Sequence, residues 1–110
     1  MIVYDAFAQR RSTERRDSPR PAVLVIGELN VDIIAAGLKA APQLGKEIEA
    51  TRFEVVLGSA SAIFAAGLAK LGHRVAFVSK VGADAFGTLC RERLAALGVD
   101  TAWVQPPRAA

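Results

Sequence analysis

Three apolar runs alternate with two amphipathic segments along most of the chain. Residues 22–26 form a continuous apolar run that Gly27 ends, a pattern typical of a strand buried on both faces. Residues 74–81 are rich in valine and phenylalanine, and residues 101–104 form a shorter run. The pattern therefore predicts three strands, the first of them buried.

Two helices are predicted between these strands. Ser59 and Asp84 are suited to begin them, because a short polar side chain can accept a hydrogen bond from an amide of the first turn. Gly72 and Gly98 are suited to end them. The order strand, helix, strand, helix, strand predicts an α/β fold with a mainly parallel sheet.

Each predicted helix carries apolar residues three and four positions apart, which indicates one buried face. In the first helix these residues are Ala60, Ile63, Phe64, Gly67, Leu68 and Leu71. In the second helix they are Phe86, Leu89, Cys90, Leu94 and Leu97. We expect both sets to pack on the sheet.

Two further segments are predicted to be strands outside this alternation. Residues 31–36 follow the first buried strand after a bend, and residues 47–57 alternate only in part between polar and apolar positions. The alternation shifts at Thr51 and Arg52, which predicts a β-bulge there in strands with one covered face.

The first 21 residues have a different composition from the rest. They hold five arginines against three acidic residues, so they carry +2 of the net charge of +3. Because acids are interspersed and no aromatic residue follows the arginines, we interpret residues 1–21 as a disordered basic leader and not as a nucleic-acid contact. Apolar runs are too short for a membrane span, and Cys90 has no cysteine partner, so we expect a cytoplasmic protein.

The turn that begins at Gly58 is the first candidate for chemistry. A helix N-terminus can bind an anion through its free amides, but the dinucleotide fingerprint needs glycines where this chain has Ala60 and Ile63. No Gly-Lys-Ser/Thr sequence follows the turn, which excludes a Walker phosphate loop. A small NADP-binding unit, with Ser79 and Lys80 facing a 2′-phosphate, remains an alternative.

Four segments in order resemble the N-terminal part of the ribokinase-like, or PfkB, carbohydrate kinases. They are VIGELNVD (25–32), LGSASAIFAAGLAKLG (57–72), VAFVSKVGADAFG (75–87) and LAALGVDT (94–101). The resemblance implies a partial three-layer α/β fold with a mainly parallel sheet between helices. It also implies that residues 22–110 are the N-terminal portion of a kinase domain, with a β-lid segment at about 45–57.

The resemblance also implies a substrate site. Its residues would be Asn30, Asp32, Gly58, Ser59, Ala60 and Ser61. Asp32, two places after Asn30, matches a position where the family holds sugar hydroxyls, and a carboxylate that accepts a hydroxyl hydrogen bond contributes about 1.5–3 kcal/mol. The family pattern has two glycines at the start of this turn and an asparagine where Ile63 stands, so the substrate contacts differ here.

The family's ATP pocket and catalytic base lie on a Gly-Ala-Gly-Asp turn, and this sequence has no such turn. Gly82-Ala83-Asp84 lacks the second glycine, so Asp84 is interpreted as an N-cap. We assign no catalytic residue and no metal ligand. The resemblance implies ATP and Mg²⁺ for the complete kinase and no cofactor for this chain alone.

These observations favour a truncated carbohydrate or nucleoside kinase that retains the substrate side and is inactive alone. Its expected partner is a small sugar or nucleoside, with no nucleic acid and no membrane. A stand-alone sugar-binding or regulatory module is the alternative, besides the NADP-binding unit. An uncovered sheet edge or lid also predicts self-association.

Overall fold

The computed structural model describes residues 1–5 and 21–106. Its strands are β1 (Ile2–Asp5), β2 (Val23–Ile26), β3 (Val31–Leu38), β4 (Ala50–Leu57), β5 (Val75–Lys80) and β6 (Asp100–Gln105). Its helices are α1 (Ala60–Lys70) and α2 (Ala85–Ala96). The three strands of the predicted alternation and both predicted helices are present. The prediction that residues 22–26 are buried on both faces is wrong: in β2 only Val25 is fully buried and Ile26 is 37% exposed, because the two described helices cover one face of the sheet.

The main sheet has four strands in the order β1-β2-β5-β6. β2, β5 and β6 are parallel, and β1 joins them antiparallel, so the prediction of a mainly parallel α/β sheet is confirmed. The connections through α1 and α2 both advance in one direction along the sheet. Right-handed crossovers of this kind place both helices on the same face.

The core lies between that face of the sheet and the two helices. Its most buried members are Val25, Val75, Phe77 and Val104 from the sheet and Ala62, Ala65, Cys90 and Leu94 from the helices. The interpretation of Cys90 as a small core residue is confirmed, since it is only 2% exposed. Burial, and then the charge of Asp84, raises the pKa of its thiol.

The predicted buried face of α1 is wrong. Ile63 and Leu71 are 62% and 77% exposed, and the helix instead buries Ser61, Ala62, Ala65 and Ala66. These short side chains let the helix backbone approach the sheet closely. They therefore pack inward, although the larger apolar residues of α1 also recur three and four positions apart. In α2 the buried face includes the predicted Cys90 and Leu94 but also Gly87, while Phe86 stays 48% exposed.

The first residues of the chain form a strand. β1 pairs along β2 from Ile2 opposite Ile26 to Asp5 opposite Val23, so the prediction of disorder from the first residue is wrong for residues 2–5. That prediction was based on the arginine-rich composition of residues 1–21 as a whole and did not consider the short apolar run at residues 2–4 separately. The rest of the predicted leader, residues 6–20, lies outside the described residues, as do residues 107–110.

β3 and β4 form a separate antiparallel hairpin. Its register runs unchanged from Val31 opposite Leu57 to Leu38 opposite Ala50, so the predicted bulge at Thr51 and Arg52 is wrong. Most of the hairpin is exposed on both faces. Because neither face packs on a core, neither needs a regular row of apolar side chains. The break in alternation at Thr51 and Arg52 results from this exposure and not from a change of register.

Both predicted helix starts and ends are confirmed. Ser59 Oγ accepts a hydrogen bond from Ala62 N at 3.0 Å, and Asp84 Oδ1 accepts one from Gly87 N at 2.8 Å. Gly72 and Gly98 have φ angles of 90° and 92°, the left-handed backbone expected after a helix. Within residues 1–5 and 21–106, neither helix is long and apolar enough to cross a membrane.

Two glycines inside the helices give opposite predictions for the same substitution. A Cβ at Gly87 would overlap the carbonyl oxygen of Gly82, whereas a Cβ at Gly67 would meet nothing within 4 Å. We expect Gly87→Ala to lower the free energy of unfolding by about 1–3 kcal/mol through overpacking. Gly67→Ala should raise it by about 0.5–1 kcal/mol through helix propensity. Urea denaturation of both variants measures the difference, and equal effects would contradict this packing of α2.

Candidate functional site

The candidate site lies where the chain leaves the carboxyl end of β2 and enters the hairpin. The amide of Gly58 donates a hydrogen bond to the carbonyl oxygen of Asn30 at 2.9 Å, which extends the β3–β4 pairing to the base of the hairpin. Asp32 lies opposite Val56 two positions further along. Because side chains alternate across a strand, Asn30, Asp32 and the α-carbon of Gly58 face the same side.

Gly58 provides the space in which the two polar side chains meet. A Cβ at this position would lie 2.5 Å from Asp32 Oδ1 and 2.8 Å from Asn30 Oδ1. The structure therefore brings together three of the six residues predicted for the site. The Asn30 and Asp32 residues are exposed, so their oxygens and the Asn30 amide are available to a polar molecule in front of Gly58.

Ser59 follows Gly58 in a left-handed conformation, with φ of 66°. This backbone costs a residue with a side chain about 1–3 kcal/mol, which explains the glycine that the family pattern has here. The Ser59 hydroxyl offsets the cost with two hydrogen bonds. It donates to the carbonyl oxygen of Glu28 at 2.9 Å and accepts from the amide of Ala62 at 3.0 Å.

The other two predicted residues lie in the first turn of α1. Ala60 is exposed at its start. Ser61 is fully buried, and its Oγ has no hydrogen-bond partner among the described residues. Its side chain fills the position that a Cβ of Gly27 would need, so it packs behind the turn. Ile63, where the family pattern has asparagine, is exposed.

Glu28 is a residue of this region that the sequence analysis did not select. The pKa of its carboxyl group lies below the ordinary value, first because its own backbone amide favours the charged form and next because of the Ser61 hydroxyl. Ser61 thus influences the carboxylate without a hydrogen bond of normal geometry. The sequence feature that could have identified Glu28 is its position directly after Gly27, the glycine that follows β2.

A phosphate does not fit at the N-terminus of α1. Ser59 already satisfies the amide of Ala62, and the charged Glu28 lies beside Ser61, so a bound anion would be repelled. Metal binding has no better support, since the described parts of the chain bring no three histidine, cysteine or acidic side chains together. The arrangement of Asn30, Asp32 and Gly58 suits a neutral ligand with several hydroxyl groups.

Comparison with known proteins shows that this chain is similar to carbohydrate kinases. The sequence pattern of the pfkB family carbohydrate kinases matches residues 20–108. Ribokinase from Bacillus subtilis is 36% identical over 84 residues, which are 76% of this chain and 28% of that protein.

Solved structures agree with the sequence match. Arabidopsis thaliana ribokinase, solved with ribose and ATP, superposes with a TM-score of 0.66 at 33% identity, over 76% of this chain and 27% of that one. A sugar kinase from Pyrococcus horikoshii, solved with ATP, gives a TM-score of 0.63 at 33% identity, over 77% and 26%. The described strands and helices therefore form part of a ribokinase-like α/β fold.

The chain spans about a quarter of the length of these relatives. The match nevertheless includes both helices, the hairpin and the parallel strands of the main sheet. The chain belongs to the pfkB family of carbohydrate kinases.

Proposed function

We propose that this chain supplies the sugar-binding side of an ATP-dependent carbohydrate kinase. The observation that carries the proposal is the convergence of the exposed Asp32 and Asn30 side chains beside Gly58, where the missing side chain leaves space for their oxygens. A carboxylate and an amide side by side can accept and donate hydrogen bonds to neighbouring hydroxyls of one sugar. A side chain at position 58 would overlap both of these oxygens, so only glycine leaves the pair in place.

The six predicted site residues have different roles in this proposal. Asp32 and Asn30 hold the hydroxyl groups, and Gly58 leaves room for these two side chains. Ser59 fixes the turn, Ala60 begins the helix without obstructing the ligand, and Ser61 supports the turn from behind through its contact with Gly27. The β3–β4 hairpin would act as the lid over the sugar.

ATP and Mg²⁺ would bind in another part of the complete kinase. The turn before α1 suits neither a phosphate nor a metal ion, and the sequence holds no Gly-Ala-Gly-Asp turn. We propose that phosphoryl transfer takes place in the cytoplasm and needs residues beyond these 110. A stand-alone sugar-binding module would make the same sugar contacts and would differ only in having no phosphoryl transfer.

Substitutions at the centre of the site test the sugar contacts. Asp32→Asn should weaken the binding of D-ribose about ten- to hundredfold, because hydrogen bonds to a charged group contribute about 1.5–3 kcal/mol. Gly58→Ala should weaken it at least as much, since the new methyl group displaces both polar side chains. The dissociation constants are measured by isothermal titration calorimetry, in which D-ribose or D-fructose is added to the 110-residue protein.

Gly67→Ala is the matched control for the glycine substitution, because it adds the same methyl group at a position with open space. It should leave sugar binding unchanged. Wild-type protein that binds neither sugar, or variants that bind as well as wild type, would refute the proposal.

We also propose that two copies of the chain associate through the apolar face of the hairpin. Ile33 lies opposite Val55 and Ala35 opposite Phe53, and these residues share the face turned away from Asp32. Ile33 and Phe53 are 56% and 67% exposed, and the face has no charged side chain at these positions. We expect the same face of a second copy to pack against it, because an interface with two-fold symmetry pairs identical surfaces.

Sedimentation velocity over a concentration series tests this association. Phe53→Ser should shift the protein toward the monomer, because it replaces the largest apolar side chain of the face by a polar one. Leu44→Ser is the control, since Leu44 is fully exposed in the loop between the two strands and should not change the distribution. A wild-type protein that stays monomeric at all concentrations would contradict the proposal.

A further inference from the structure

The face of the hairpin that carries Asp32 continues outward from the site. Val56 lies opposite Asp32, and Glu54 lies opposite Ile34. Glu54 is therefore a diagonal neighbour of Asp32 on the same face, a relation in which the α-carbons are about 7–8 Å apart and long side chains can reach one ligand. A sugar bound at Asp32 would thus extend toward Glu54.

Ile34 neighbours both carboxylates on this face, since it lies two positions after Asp32 in β3 and opposite Glu54, and it is 41% exposed. The C–H face of a sugar ring is apolar, and an exposed isoleucine offers it a surface that excludes water. On this face the two carboxylates are diagonal to each other, and the apolar residues Ile34 and Val56 occupy the other diagonal. This arrangement suits a ring whose hydroxyl groups point outward at both ends.

Arg52 holds the Glu54 side chain in place. Its Nε lies 3.2 Å from Glu54 Oε1, and both residues stand on the same face because they are two positions apart in β4. An exposed ion pair contributes little to stability. Its effect here is to orient Glu54 and to reduce the repulsion between Glu54 and Asp32, since like charges on neighbouring strands destabilise each other.

The charges of this face also select among ligands. Two carboxylates stand against one guanidinium, and the guanidinium is already paired. A phosphate or carboxylate group on the sugar would meet two like charges, whereas hydroxyl groups would find two acceptors.

We propose that Glu54 is a second substrate-contacting carboxylate, that Arg52 positions it, and that the hairpin consequently selects uncharged sugars over sugars with an anionic group. This inference rests on the proposed function, because it assigns further residues to the same sugar site. The contact between Glu54 and the sugar depends on the hairpin register, which the sequence alone does not give.

Calorimetric titration with D-ribose and D-ribose 5-phosphate tests the inference. Wild-type protein should bind D-ribose more strongly. Glu54→Gln should weaken D-ribose binding about tenfold and reduce the preference over the phosphate ester. Glu47→Gln is the matched control, since it removes the same charge from the loop between the strands, outside the ladder, and it should change neither affinity.

The role of Arg52 is tested through its dependence on Glu54. Arg52→Gln should weaken D-ribose binding, and Arg52→Lys should restore most of the loss because the positive charge returns. In the Glu54→Gln background, Arg52→Gln should have no further effect. Additive losses in the double variant would refute a positioning role.

Asp32→Asn, measured in parallel, separates this inference from the proposed function. If Asp32→Asn abolishes D-ribose binding while Glu54→Gln leaves it unchanged, the sugar site stands and the role of Glu54 is refuted. Stronger binding of D-ribose 5-phosphate by wild type would refute the charge selection. Wild type that binds neither D-ribose nor D-fructose would refute the proposed function and the inference together.

Discussion

The absence of a side chain at Gly58 is the constraint on which the site depends. At this position the hairpin ends, the hydrogen bond to Asn30 closes its base, and α1 begins two residues later. The oxygens of Asp32 and Asn30 occupy the space that any larger residue would fill. One residue thus joins both strands of the hairpin to α1 and leaves the space in which the two polar side chains converge.

The same region relies on a second close approach behind the turn. Ser61 occupies the space beside Gly27, and Ala62 and Ala65 continue the short inward face of α1. A helix packed through such small residues has its N-terminus fixed close to the end of β2. The position of Ser59, with its strained backbone and two hydrogen bonds, follows from that packing.

Much of the fold could be predicted from the sequence because its signals are local. A run such as residues 22–26, the N-caps Ser59 and Asp84 and the glycines that end the helices each determine structure within a few residues. The buried face of α1 could not be predicted in this way. Ala62 and Ile63 both lie on apolar stripes, and only the distance between helix and sheet selects the smaller one.

The candidate site was predictable in part for the same reason. Asn30, Asp32 and Gly58 follow from the order of motifs, but their proximity depends on the hairpin register, which brings Asn30 and Asp32 to a glycine more than 25 positions away. Glu28 and Glu54 were not selected, because an acid at a strand end or in an exposed strand is common. Their placement beside Ser61 and diagonal to Asp32 depends on tertiary structure.

The pairing of β1 with β2 restricts how this sheet can grow. β2 carries one neighbour on each side, β5 on one and β1 on the other, so all of its backbone positions along these ladders are used. A new parallel strand can join without disturbing any existing pair only beyond β6 or beyond β1. Any polypeptide that must lie directly against β2 has to expel Ile2–Asp5 first, which makes the first five residues a competitor for that place.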